Sequence, residues 1–162
     1  MTDAAPRIDP LSLRPCATRW FEDYEVGEVF YIPSRTMTDA LFSAFQLASG
    51  DNHPIHYDRH WCQAHGHREL LAHGYQVVIQ TCAGAGQLPH MMGDALVAFL
   101  EQGSRFLGAV YAGDTLYPQL EISELTPGRS TGVMTCKASV WNQDGKLVLD
   151  GFHKSLLRKR PA

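Results

Sequence analysis

No apolar run in this sequence approaches the roughly 20 residues needed to cross a bilayer, so no helical membrane span is expected. The opening Met1-Thr2-Asp3-Ala4-Ala5-Pro6 lacks a basic start followed by an apolar stretch, so no secretory signal is expected either. Neither sign of charge dominates. With 14 Lys and Arg against 17 Asp and Glu, the net charge is −3 and the pI about 6.2. That balance gives no electrostatic reason to bind nucleic acid or an acidic membrane. The four cysteines, at 16, 62, 82 and 136, form no CxxC pair and no disulfide-like spacing. Reduced thiols in a cytoplasmic protein are the expectation. No HExxH pattern is present to mark a zinc site.

What is present fits one domain: 162 residues, 44% of them hydrophobic, suffice for one core. Residues 1–18 carry three prolines and no periodicity, and read as a flexible N-terminal arm. The folded domain is expected over 19–158, with Arg158-Lys159-Arg160 opening a short, solvated basic tail over 159–162. Val29-Phe30-Tyr31-Ile32 reads as a first strand. Thr38 is placed to cap a helix over 39–49, in which Leu41, Phe45 and Ala48 recur on one face and Gly50 ends it. Residues 51–73 are polar and histidine-rich, with a turn of helix around Arg59–Ala64.

Residues 73–86 contain no charge and are apolar or small nearly all round, which predicts a buried helix that other backbone approaches closely. The remainder is strand-like. Residues 95–100 and 103–110 read as one long bent strand. Leu116, Leu120 and Ile122 mark another, in which Pro118 favours an edge or a bulge. Met134, Cys136, Ala138 and Val140 alternate with polar or small neighbours, and Asn142-Gln143-Asp144-Gly145 turns the chain into 146–157. The sum is an α+β fold, an antiparallel sheet wrapped around a buried helix.

Three chemical features stand close in the sequence: Asp51, His56, and the His73-Gly74 step that opens the uncharged helix. An aspartate beside a histidine can orient a water and take its proton. A helix N-terminus offers free N–H groups and a positive dipole end to a developing oxyanion, and glycine lets a carbonyl come near. Local sequence leaves bland readings open: a turn aspartate, a structural histidine, a tight turn at Gly74.

The run Ala48-Ser49-Gly50-Asp51-Asn52-His53-Pro54-Ile55-His56-Tyr57-Asp58, with Leu71-Ala72-His73-Gly74-Tyr75, resembles the MaoC-like dehydratases and (R)-specific enoyl-CoA hydratases. So do the opening Phe21-Glu22-Asp23-Tyr24-Glu25-Val26-Gly27 and the later Gly113-Asp114-Thr115-Leu116. The resemblance implies a single hotdog fold, a sheet around helix 75–86, paired as a homodimer or higher homo-oligomer. It implies a hydro-lyase acting on an acyl-CoA thioester, with Asp51 and His56 as the catalytic pair and Gly74 N–H polarising the carbonyl. No cofactor and no metal are expected, since CoA belongs to the substrate. The usual family pattern Asp-x-Asn-Pro-x-His has His53 at its Asn position here, and Cys62 stands where a small alanine is common.

Three rivals remain. A hotdog thioesterase needs an acidic group near the helix, where only Gln76 and Gln80 are long and polar. A metal site would draw on the six histidines between 53 and 73, among them His56 with His60, and His65 with His67. A non-catalytic acyl-CoA-binding hotdog is the third. Arg59, Arg68 and Arg105 are candidates to meet the CoA phosphates.

Overall fold

The computed structural model describes residue 9, residues 12–82 and residues 85–161. In chain order the strands are β1 (Val29–Tyr31), β2 (Arg35–Thr36), β3 (Leu96–Phe106), β4 (Thr115–Pro127), β5 (Thr131–Asn142) and β6 (Leu147–Arg158). The helices are α1 (Asp39–Ser49), α2 (Pro54–Tyr57), α3 (Arg59–Ala64), α4 (Gly74–Val78) and α5 (Leu88–Met92). One antiparallel sheet runs β1-β4-β5-β6-β3, and β2 also pairs with β4. Among the described residues no helix is long and apolar enough to cross a membrane.

The long strands follow from alternation. On β5, Met134, Cys136, Ala138 and Val140 turn inward and are buried. The β5–β6 hairpin closes at Gly145, whose φ of +70 suits glycine and whose N–H donates to Asn142 O. One continuous strand does replace the two segments expected over 95–110, but it runs only Leu96–Phe106, kinked by register shifts at 96/98 and 99/101, and residues 107–110 leave the sheet. Pro118 lies within a strand paired on both sides. It falls between the stretches that face β1 and β2, and its carbonyl still accepts Ile32 N–H. The missing donor thus sits at a local break in the partner.

The central helix departs from expectation. It spans Gly74–Val78, tightens to a 3-10 turn over Ile79–Thr81, and is followed by Cys82. Residues 83 and 84 of the predicted helix lie outside the described residues. Val77, Val78, Ile79 and Thr81 are β-branched and poorly suited to a long helix, and Thr81 Oγ1 donates back to Val78 O. Nor is it buried all round. Gln76, Val77, Gln80 and Thr81 are buried, with Val77 in the core beside Leu116 and Val140 and the 3-10 turn packed on β4 and β5, while Tyr75 is 68% and Ile79 48% exposed.

Two other helices were illegible in the sequence. Pro54 starts α2 at its first turn, where proline's missing N–H costs nothing; α5 begins the same way at Leu88-Pro89. Of the arm expected over 1–18, residues 1–8, 10 and 11 lie outside the described residues, and the described stretches next to both ends are tied to the domain. Arg14 pairs with Asp94, and Arg19 N–H donates to Met91 O. The basic tail is not freely solvated: Arg160 bonds Glu22 and Asp23, and Lys159 N–H donates to Ser130 O.

Candidate active site

Helix α1 ends where expected. Gly50 adopts φ +71, a left-handed cap that sends its N–H to Gln46 O and releases the chain into the loop carrying Asp51. On α1 only Phe42 is buried; Leu41 and Phe45 are half-buried and Ala48 is exposed, so the packed face is narrower than predicted. Thr38 occupies the cap position without a side-chain hydrogen bond.

The segment 70–73 assembles the site. Ala72 N–H donates to Val110 O and Ala112 N–H to Leu70 O on one side, and Leu71 N–H donates to Ile55 O on the other. This extended run ties α2 to the body of the domain and delivers His73 and Gly74 at its end. His56 closes the same clip, its Nδ1 lying 2.6 Å from Leu71 O. A carbonyl oxygen only accepts, so in the neutral ring the proton is on Nδ1 and His56 Nε2 is a bare acceptor.

Asp51, His56 and His73 come together: a ligand atom of each lies within 4.8 Å of the others. The His56 and His73 ring centroids are 5.1 Å apart, and His73 Nε2 is 3.3 Å from Asp51 Oδ2. The other Asp51 oxygen accepts His53 N–H at 2.9 Å. That backbone bond comes first, with the nearby His56 and His73 adding to it, in holding the Asp51 carboxyl below the usual range.

Two histidines perform one local task. His53 Nδ1 accepts Ile55 N–H at 3.2 Å and caps α2, and His73 Nδ1 accepts Tyr75 N–H at 3.1 Å and caps α4. His53 therefore does with a ring nitrogen what an Asn oxygen does at a helix start. His73 was singled out only as the residue ahead of Gly74. Its i to i+2 spacing before a helix matches that of His53, and was the available signal.

Gly74 N–H, at the first helical position, has no acceptor in the chain among the described residues. A helix of five residues contributes individual N–H groups more than a macrodipole. The N–H opens onto a cleft of about 410 Å³ lined by His73, Gly74, Tyr75, Val78, Gln102 and Phe106, among others. A second, apolar cavity of about 310 Å³ lies past the far end of α4, walled by Cys82, Leu88, Met92, Phe99, Met134 and Cys136.

The remaining histidines of the loop do not join the group of Asp51, His56 and His73. Among the described residues His60, His65 and His67 join no group with ligand spacing; His65 instead stacks on Trp61 at 3.8 Å. For Asp51, His56 and His73 the spacing would suit a cation, but the capping bond at His73 Nδ1 leaves a proton on the nitrogen that faces Asp51. The candidate arginines are each ion-paired: Arg59 with Asp39 and Glu69, Arg68 with Asp114, Arg105 with Asp150.

Residues 23–143 match the family model for the MaoC like domain, and the chain belongs to that family. It is 28% identical over 136 residues to a 3-hydroxybutyryl-CoA dehydratase of Methylorubrum extorquens, covering 82% of this chain and 80% of that one. Among solved structures it resembles a monoamine oxidase regulatory protein of Archaeoglobus fulgidus, with 27% identity, 92% and 100% of the two chains covered and a TM-score of 0.83. The unliganded (R)-hydratase PhaJ1 of Pseudomonas aeruginosa gives 25%, 87% and 86%, and 0.74. Rv0216 of Mycobacterium tuberculosis, described as a double hotdog, gives 28%, 89% and 45%, and 0.74. The fold is a single MaoC-like hotdog, an antiparallel sheet with helices and not a closed barrel.

Proposed function

We propose that the protein is a hydro-lyase that adds water to a 2-enoyl-CoA or removes it from a 3-hydroxyacyl-CoA. The observation that carries this reading is the bare Nε2 of His56 beside an ionised Asp51, next to the free N–H of Gly74. In hydration one water lies between Asp51 and His56 Nε2. Asp51 stays anionic and orients it, and His56 takes its proton. The hydroxide oxygen bonds to the β-carbon and the π electrons move to the thioester oxygen, which Gly74 N–H meets. Collapse of the enolate draws a proton from His56 to the α-carbon. Dehydration reverses each step.

The apolar cavity beyond α4 has a lining suited to an acyl tail. A thioesterase reading finds no carboxylate on α4 or the 3-10 turn after it, where Gln76 and Gln80 are buried and Gln80 Nε2 donates to Gln76 O. Assembly as a dimer is part of the proposal. Strand β3 ends the sheet with an open edge, and Tyr75, Ile79, Val97, Leu100 and Phe106 stand exposed on or beside it.

The test is the fall in enone absorbance of crotonyl-CoA, run in EDTA so that no Lewis acid contributes. Asp51→Asn and His56→Ala are each expected to lose about 10²-fold or more while remaining folded. Near-normal turnover by either would remove the mechanism, and release of free thiol would favour the thioesterase.

A further inference from the structure

We infer that His73 is a positioning residue: its imidazole, fixed by the Tyr75 backbone, supports the Asp51 carboxylate and leaves His56 as the one proton carrier. The inference deepens the hydratase reading and rests on it.

A neutral imidazole has one N–H. At His73 the Tyr75 N–H donates to Nδ1, so that nitrogen is bare and the proton is on Nε2, 3.3 Å from Asp51 Oδ2. At His56 the order is reversed, with the proton on Nδ1 toward Leu71 O. Two rings 5.1 Å apart thus hold opposite tautomers, each set by a backbone group that side-chain motion does not easily remove. The His73 ring is further held between Phe45, at 5.3 Å, and Tyr75, which stacks at 5.6 Å.

The consequence for Asp51 is that both oxygens have a donor neighbour, His53 N–H on Oδ1 and His73 Nε2–H near Oδ2. A carboxylate flanked in this way orients water better than it accepts a proton. At 3.3 Å this is an ion-pair approach and not an aligned hydrogen bond, and such contacts in unliganded sites commonly align and tighten when substrate binds.

The two capping and supporting tasks of His73 are separable. The amide oxygen of Asn reaches the place of Nδ1, so His73→Asn keeps the cap on α4 and loses the donor to Asp51. The amide nitrogen of Gln reaches the place of Nε2, so His73→Gln keeps the donor and loses the cap. His73→Asn is expected to melt like the wild type but to lose kcat by about tenfold or more with KM little changed, as a displaced catalytic group does. His73→Gln is expected to melt earlier and keep more of kcat than His73→Asn does. The reverse order of the two kcat values would overturn the inference. Should either variant fail to fold, two-bond ¹H–¹⁵N correlations on the wild-type protein decide it. Nε2–H at His73 with Nδ1–H at His56 supports the inference, and Nδ1–H at His73 refutes it. Because the tautomers are read without turnover, an inactive wild type would count against the hydratase reading and not against this arrangement.

Discussion

Phe106 packs its ring against Gly74 so closely that a Cβ on that glycine would stand 2.8 Å from Cζ and 3.0 Å from Cε2. The requirement for glycine is therefore packing as well as access to its N–H. Phe106 is half-exposed and its ring can swing away, so Gly74→Ala is expected to cost only about 1 kcal/mol in urea unfolding. The displaced ring then intrudes on the cleft it lines, and activity falls further than stability does. Phe106→Ala in the same chain is expected to recover part of the rate; a double variant as impaired as Gly74→Ala alone would show that the ring is not the obstacle.

His53→Asn replaces one capping acceptor with another and leaves the backbone bond to Asp51 in place. It is expected to keep at least about a tenth of the rate, within the 1.4 kcal/mol of a tenfold change. His56→Asn removes the proton carrier and is expected to lose far more. Initial rates for the two variants from pH 5 to 9 check this, and the opposite ranking would reassign the pair.

Ile79→Glu and Val97→Glu place charge on the exposed side of the 3-10 turn that follows α4 and on β3. Each is expected to shift light scattering from a dimer or larger species toward the mass of one chain, 18.0 kDa. A wild type that is active as a monomer would dispose of the proposed assembly.

His153 is buried beside Thr81, whose hydroxyl proton goes to Val78 O, so His153 Nε2–H donates to Thr81 Oγ1 at 3.0 Å. Burial lowers its pKa below the ordinary 6.5. In the window between the lowered and the ordinary value the unfolded chain binds the extra proton. Stability is therefore complete above about pH 6.5 and declines as pH falls through the folded-state value. His153→Gln retains the donor and does not titrate. Its melting temperature is expected to fall less between pH 7.5 and 5.5 than that of the wild type; parallel curves would assign the acid sensitivity to other groups.

Much of the fold was written in local pattern. Alternation on β5, the Asn142–Gly145 turn and the glycine that ends α1 act within a few residues, and each is where the sequence places it. The length of α4 was not legible, because absence of charge reports burial and says little about whether a β-branched run stays helical. α2 was obscured by reading Pro54 as a stop when it is also a start. At the site, Asp51, His56 and the His73-Gly74 step stand close in the sequence, but spacing alone left a turn aspartate and a structural histidine open, and their roles came from the resemblance to the MaoC-like dehydratases. The approach of His73 Nε2 to Asp51 depends on the path of 70–73 between Ile55 and Val110, a tertiary fact with no local signature.

The clip at 70–73 divides the site between two regions of unequal firmness. Helices α2 and α3 bury only Cys62 fully among the described residues, and two hydrogen bonds, Leu71 N–H to Ile55 O and His56 Nδ1–H to Leu71 O, join α2 to the clip. Residues 72–77 are instead stitched to Val110 and packed on the sheet. Amide hydrogens of 54–64 should consequently exchange through small local openings, while those around Val77 wait for global unfolding. The acid–base partner and the oxyanion donor are thus expected to fall in different cooperative units, and a bound thioester, touching both, would fasten the looser one to the firmer. Slowed deuterium uptake confined to 54–64 is the footprint that such a ligand leaves.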